Sequence, residues 1–95
     1  MDVKVDSKSK YTVEDLLSIM KMLRAPGGCP WDREQTHESI RMNFIEETYE
    51  AVEAIDLNDS KLLCEELGDV LLQIVFHSEM EEEKGSFDFS DVVDG

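Results

Sequence analysis

The chain has 95 residues and a formal net charge of −14, because 23 acidic residues outnumber nine basic ones. This charge disfavours direct binding to nucleic acid or to anionic lipid surfaces, and it would repel a phosphate-bearing substrate unless cations mediate the contact. A hydrophobic content of 41% argues against a disordered chain, and the length allows one domain with a small core.

The N-terminal segment is polar, and we expect residues 1–10 to form a flexible tail without the apolar stretch of a signal peptide. No apolar run approaches the roughly 20 residues of a membrane span, so we expect no membrane partner. Cys29 and Cys64 occur in unrelated contexts and are predicted to be free thiols in a reducing compartment. Together these features predict a cytoplasmic protein.

The first predicted helix begins after Thr12, where Asp15 completes a capping box. Its apolar residues recur at helical spacing: Val13, Leu16, Leu17, Met20 and Leu23. Pro26-Gly27-Gly28 ends this helix. The next segment, Cys29-Pro30-Trp31-Asp32, is predicted to be a stiff loop.

The second predicted helix runs from near Thr36 to about Leu57. Helical geometry places Glu47 and Glu50 beside its apolar stripe, and Ala54 between them leaves the space over both carboxylates open. Glu46 and Glu53 lie further out and are expected to face water. The stripe comprises Ile40, Phe44, Thr48, Ala51 and Ile55, widened by Ile45 and Val52.

The short turn at residues 58–60 makes the second and third helices antiparallel neighbours. The third helix, predicted over residues 61–84, is apolar on most sides, so we expect its own bundle and a partner chain to cover it. Its few central polar residues occupy one narrow wedge: Glu65, Glu66, Asp69 and Gln73.

Four glutamates follow close to the C-terminus of the third helix, at residues 79 and 81–83. They oppose the helix dipole, and we expect them to be exposed and frayed. Gly85 is a natural stop. A fourth helix is predicted to begin at Val92, after the aromatic segment at residues 87–89.

The acidic pairs Glu47-x-x-Glu50 and Glu66-x-x-Asp69 carry the main functional signal. Carboxylates three residues apart project from one side of a helix, so two facing helices can bring four of them together. A hard divalent cation such as Mg²⁺ would offset their repulsion. The alternative is that the pairs are merely solvated, as acidic pairs on helices commonly are.

Other metal sites fit the sequence less well. A di-iron bundle needs Glu-x-x-His on two helices, and Glu34-x-x-His37 is the single instance here. Neither cysteine has zinc ligands at the required spacing. His77 shares the side of Asp69 and Gln73, and we interpret it as a packing histidine rather than a ligand or base.

Several motifs occur in the same order as in the MazG family of nucleoside triphosphate pyrophosphohydrolases, which the chain resembles from about Val13 to Val92. They are Cys29-Pro30-Trp31-Asp32 with Glu34-Gln35-Thr36, Glu46-Glu47-Thr48-Tyr49-Glu50, Glu65-Glu66-Leu67-Gly68-Asp69 and Gly85-x-Phe87-Asp88-Phe89. The resemblance implies an all-α bundle of antiparallel helices completed by oligomerisation. It also implies Mg²⁺-dependent hydrolysis of a nucleoside triphosphate to the monophosphate and pyrophosphate.

The resemblance also implies roles for individual residues. The metal ligands would be Glu47, Glu50, Glu66 and Asp69, holding Mg²⁺ with Mn²⁺ as a possible substitute. Glu46, Glu47 and Glu50 would be the catalytic carboxylates, with Glu46 orienting or deprotonating the attacking water. Trp31 would stack a nucleobase or plug the end of the bundle, and Lys61 would contact phosphate.

In one respect the chain departs from the family pattern, because the further helix that follows the Phe-Asp-Phe segment in the family is missing. We therefore expect residues 11–95 to form a domain that is incomplete at its C-terminus. The expected partners are a nucleoside triphosphate and further copies of the chain, as a dimer or tetramer. The alternative is a non-catalytic fragment that binds metal or serves assembly.

Overall fold

A computed structural model describes residues 10–95, and within that range the chain forms five α-helices and no strand. The predicted all-α class is confirmed. The predicted N-terminal tail lies outside the described residues except for Lys10. The helices are α1 (Val13–Arg24), α2 (Pro30–Glu34), α3 (His37–Asp56), α4 (Ser60–Lys84) and α5 (Phe89–Asp94).

Local capping sets the ends of the long helices, mostly as predicted. Thr12 and Asp15 form a reciprocal capping box before α1, and Thr36 forms one with Ser39 before α3. Each box satisfies backbone N–H groups that the first helical turn leaves without partners. Gly85 ends α4 in the left-handed conformation with φ 79°, which glycine adopts without steric cost.

The segment after α1 is a short helix, α2, so the prediction of a loop there is wrong. Pro30 occupies the first helical turn, where its fixed φ suits a helix and its missing N–H is not needed. Arg24 then binds the C-terminal end of α2, donating from Nη1 to the backbone oxygens of Asp32 and Gln35 at 2.6 and 3.1 Å. Five residues are too few to show helical periodicity.

The core lies where α1, α3 and α4 meet, and α4 packs most extensively on α3. Its buried members are Met20, Ile40, Val75, Phe76 and Met80, with Leu16, Leu17, Leu71 and Phe89 packed around them. Across residues 10–95, none of the helices combines the length and apolar content needed to cross a membrane.

The predicted apolar stripe of α3 is partly wrong. Ile55 is 57% exposed and Thr48 is exposed, whereas Ala54 is fully buried. The prediction that Ala54 leaves open space is therefore wrong as well. The side of α3 that packs on α4 also carries Ala51 and the half-buried Glu47. Small alanine side chains allow neighbouring helices to pack closely, which fits the burial of Ala51 and Ala54 in this contact.

The acidic end of α4 is not frayed, contrary to prediction. Glu79 and Glu82 pair with Lys21, and Glu83 pairs with Arg24. These contacts hold the last turns of α4 against α1. The last helix, α5, begins at Phe89 with Asp88 as its N-cap, three residues before the predicted start at Val92.

Candidate metal centre between α3 and α4

The tight connection between α3 and α4 positions the carboxylates. Asn58 adopts a positive φ of 56°, a conformation that asparagine tolerates better than most residues. The Asp59 side chain then accepts a hydrogen bond from the backbone N–H of Leu62 and caps α4. The resulting antiparallel pair brings the middle of α3 against the first half of α4.

One carboxylate oxygen from each of Glu47, Glu66 and Asp69 lies within 4.8 Å of the other two. Glu50 is a neighbour of this group, because its carboxylate contributes to raising the pKa of both Glu47 and Glu66. The structure thus brings together three of the four residues that were predicted to hold a metal, with the fourth, Glu50, beside them. We call these four side chains the carboxylate cluster.

Within residues 10–95, no basic side chain forms an ion pair with the carboxylate cluster, so its negative charge is not compensated. Hydrogen bonding to Glu50, followed by burial and by the neighbouring carboxylates, raises the pKa of Glu66 to about 7. Burial, then the charges of Glu50 and Asp69, raises the pKa of Glu47 above its ordinary value. Both raised pKa values show that the surroundings of Glu47 and Glu66 disfavour the ionised carboxylates. A bound proton or another cation would relieve this.

Two further observations fit a cation. Glu47 Oε2 and Glu66 Oε2 are buried and have no hydrogen-bond partner, so each retains a lone pair for a ligand. Mg²⁺ binds carboxylate oxygens at about 2.0–2.1 Å, which places opposite ligands about 4.2 Å apart. The three oxygens lie within 4.8 Å of one another, and they are the donor type that Mg²⁺ prefers.

The MazG nucleotide pyrophosphohydrolase domain family matches residues 35–95, a range that includes α3, α4 and the whole carboxylate cluster. The chain belongs to the MazG family.

Curated relatives agree with this assignment. A Thermotoga maritima protein named nucleoside triphosphate pyrophosphohydrolase/pyrophosphatase MazG is 55% identical over 80 residues, covering 84% of this chain and 31% of the relative. A nucleoside triphosphate pyrophosphohydrolase of Escherichia coli K12 is 49% identical, with the same two coverages. One from Mycobacterium tuberculosis is 41% identical, covering 94% of this chain and 27% of the relative. The chain thus spans about a third of the length of these relatives.

The remaining predicted site residues lie outside the carboxylate cluster. Glu46 is exposed, next to Glu47 on α3. Trp31 on α2 is 58% exposed, and Lys61 is exposed in the first turn of α4. Within residues 10–95, no hydrogen bond or ion pair joins Trp31 or Lys61 to the cluster.

Sequence reasoning missed a second polar group on the same helix contact. Gln73 Oε1 and His77 Nε2 are buried without hydrogen-bond partners, and His77 contacts His37 of α3. The four-residue spacing of Asp69, Gln73 and His77 put them on one side of α4. The partnership with His37 had no sequence signal, because the two histidines are 40 positions apart.

Proposed function

We propose that this MazG-family chain hydrolyses nucleoside triphosphates to the monophosphate and pyrophosphate with the help of Mg²⁺, which Mn²⁺ can replace. The observation that carries the proposal is the convergence of Glu47, Glu66 and Asp69, with Glu50 beside them, between α3 and α4. The names of the relatives support the substrate class and the reaction.

The residues divide the chemistry between them. Glu47, Glu50, Glu66 and Asp69 would hold the ion, which supplies Lewis-acid polarisation of phosphoryl oxygens and neutralises triphosphate charge. The attacking water forms a bond to the α-phosphorus, the bond to the bridging oxygen breaks, and pyrophosphate leaves with the electron pair.

The proton of the attacking water needs a carboxylate that is not fully occupied by the ion. Glu46 is exposed at the edge of the cluster and is suited to orient the water or accept its proton. Glu47 and Glu50 act in the same reaction by holding the reacting groups in place. We assign Trp31 to stacking on the nucleobase and Lys61 to contact with phosphate, because both side chains are exposed.

A product analysis tests the proposal. The chain is incubated with Mg²⁺ and a panel of nucleoside triphosphates, with a chelator control, and the products are separated by ion exchange. We expect nucleoside monophosphate and pyrophosphate in equal amounts. Nucleoside diphosphate with inorganic phosphate would overturn the proposed attack at the α-phosphorus. Mg²⁺ binding without turnover would instead support a non-catalytic metal-binding fragment.

A specific surface favours self-association, which we also propose. On α3, Ile45, Tyr49 and Val52 are between 47% and 73% exposed. Together with Phe44, Thr48 and Arg41 they line an open, largely apolar cavity of about 410 Å³. Exposed apolar area of this kind marks interaction surfaces in soluble proteins. We infer a homo-oligomer, a dimer or tetramer, in which this α3 apolar face (Ile45, Tyr49 and Val52) is covered.

A further inference from the structure

His37 and His77 are the two histidines of the chain, and they meet across the contact between α3 and α4. Their Nδ1 atoms are 2.6 Å apart, and their ring planes differ by 1° with centroids 4.9 Å apart. A hydrogen bond needs one donor and one acceptor. The two Nδ1 atoms therefore share one proton, and one imidazole must accept at Nδ1 while the other donates.

Glu81 decides which imidazole donates. His37 Nε2 lies 2.5 Å from Glu81 Oε2, and hydrogen bonds from His37 and then from Lys84 hold the pKa of Glu81 below its ordinary value. An ionised carboxylate can only accept, so His37 donates from Nε2. A neutral His37 then has no proton on Nδ1, and His77 must supply the shared proton from its own Nδ1.

The pair is poorly placed to carry two positive charges. The ring of Phe44 lies 5.5 Å from that of His77, and burial, followed by the neighbouring His37, lowers the pKa of His77 below 6.5. Charged groups approach the pair from α1, α3 and α4. Glu81, which binds His37 Nε2, is itself paired with Lys84. A cavity of about 340 Å³ lies beside His37, and its charged lining residues are Arg24, Glu38, Glu83 and Lys84.

We propose that His37 and His77 form a one-proton latch between α3 and α4, which tolerates one added proton and opens when a second is bound. After the first proton is taken up from solvent, His37 is the cation. It then donates from both nitrogens, and His77 is neutral with its proton on Nε2. The hydrogen bond persists with its direction reversed.

The second proton removes the acceptor. Both Nδ1 atoms then carry hydrogen, and two cations face each other beside a single bonded carboxylate, Glu81. The bond between α3 and α4 is lost, and repulsion replaces it. The carboxylate cluster is built on the same two helices, so the latch also fixes the relative position of its two halves.

Nitrogen NMR of the uniformly ¹⁵N-labelled chain tests the tautomers directly. Long-range proton–nitrogen correlation at pH 7.5 should show His37 protonated on Nε2 and His77 protonated on Nδ1, with His77→Phe used to assign the signals. Acidification should move the proton of His77 to Nε2 before its Nδ1 is protonated. Two histidines that are both protonated on Nε2 at pH 7.5 would overturn the latch.

Urea unfolding between pH 7 and pH 5 tests the opening. The unfolded chain binds protons that the folded pair resists, so the contribution of the pair to stability falls as the pH drops below 6.5, on top of the opposite contribution of Glu66. His77→Phe, which can pack on Phe44, should flatten this decline, whereas the matched control Glu53→Gln, at an exposed position of α3 away from the pair, should leave it unchanged. Equal declines in wild type and His77→Phe would overturn the proposal. Should His77→Phe fail to fold, His37→Gln, which also removes the second cation, must show the same flattening.

Discussion

Arg24 of α1 holds Glu83 of α4 through a two-point ion pair, with Nε 2.6 Å from Oε2 and Nη2 2.9 Å from Oε1. The same guanidinium donates from Nη1 to two backbone oxygens at the end of α2 and lies over the ring of Phe76 at 5.5 Å. One side chain, 9% exposed, thus joins three helices.

Replacing this guanidinium should destabilise the fold. Lysine cannot reproduce the planar fork, so Arg24→Lys leaves the backbone oxygens of α2 without their donor and should cost about 2 kcal/mol. The free energy of unfolding in urea measures the loss. The matched control is Arg33→Lys, an exposed position on α2. Equal unfolding free energies for the two variants would contradict the role given to Arg24.

The carboxylate cluster should make stability depend on pH when no divalent ion is present. The pKa of Glu66 is raised from 4.5 to about 7, so the folded chain holds a proton that the unfolded chain releases between these values. Its stabilising contribution is complete below pH 4.5 and is lost as the pH rises through 7.

Glu66→Gln should abolish this part of the pH profile, and Glu65→Gln, at an exposed neighbouring position, should retain it. Contributions from the histidines cancel in the comparison. Added Mg²⁺ should restore stability to the wild type at pH 8, because the ion replaces the lost proton. Thermal unfolding in chelated buffer, with and without Mg²⁺, measures both effects. Identical profiles for wild type and Glu66→Gln would show that Glu66 stays ionised.

Removing one charge from the cluster should weaken cation binding and turnover together. Asp69→Asn should lower Mg²⁺ affinity by roughly tenfold or more, because affinity follows the number of charged ligands. Metal assistance supplies several kcal/mol to a reaction of this kind, so turnover should fall on the order of a hundredfold. Calorimetric titration and the product assay measure the two losses. Glu65→Gln is again the control, and wild-type affinity in Asp69→Asn would exclude Asp69 from the site.

Two glycines should respond in opposite directions to alanine. A Cβ on Gly28 would lie 2.2 Å from the backbone oxygen of Met22 and 2.5 Å from that of Leu23, which forces the turn after α1 to shift. Gly68 in α4 has nothing within 4 Å of an added Cβ. Gly68→Ala should therefore stabilise the helix by about 0.5–1 kcal/mol, whereas Gly28→Ala should destabilise the chain. Thermal unfolding compares them, and a stabilising Gly28→Ala would contradict the close approach.

The proposed association should depend on the α3 apolar face. Ile45→Glu buries a charge if the face is covered in the oligomer, and it should weaken self-association by at least about tenfold. Met22→Glu on α1, where the side chain is similarly exposed at 44%, should leave the association unchanged. Sedimentation equilibrium measures both. Unchanged assembly of Ile45→Glu would direct the search for the interface to another surface.

Local chemistry made much of the fold predictable from the sequence. Thr12, Thr36 and Gly85 mark helix ends through hydrogen bonds and φ preferences that depend on a few neighbouring residues. The three-residue spacing within each acidic pair correctly indicated that both of its carboxylates project from the same side of their helix. The rotation of α3 was not predictable in this way, because the close contact at Ala54 depends on the partner helix.

Long-range polar contacts escaped prediction for a related reason. The glutamates near the end of α4 have one basic neighbour in their own segment, Lys84, which pairs with Glu81. Their partners on α1, Lys21 and Arg24, lie about 60 positions earlier in the chain. The prediction of a frayed helix end considered only the unfavourable interaction of these glutamates with the helix dipole. The contact of His37 with His77 likewise arises from the antiparallel arrangement of α3 and α4, and no spacing within either helix reports it.

Every ion pair found within residues 10–95 involves the last two turns of α4, and the carboxylate cluster near the other end has none. The paired acidic residues and the unpaired carboxylate cluster therefore lie towards opposite ends of α4. A divalent cation approaching the cluster is drawn in by an attractive field that salt would screen, whereas a bare triphosphate is turned away. In the proposed reaction this asymmetry imposes an order of events: metal arrives first, or nucleotide and metal arrive as one complex.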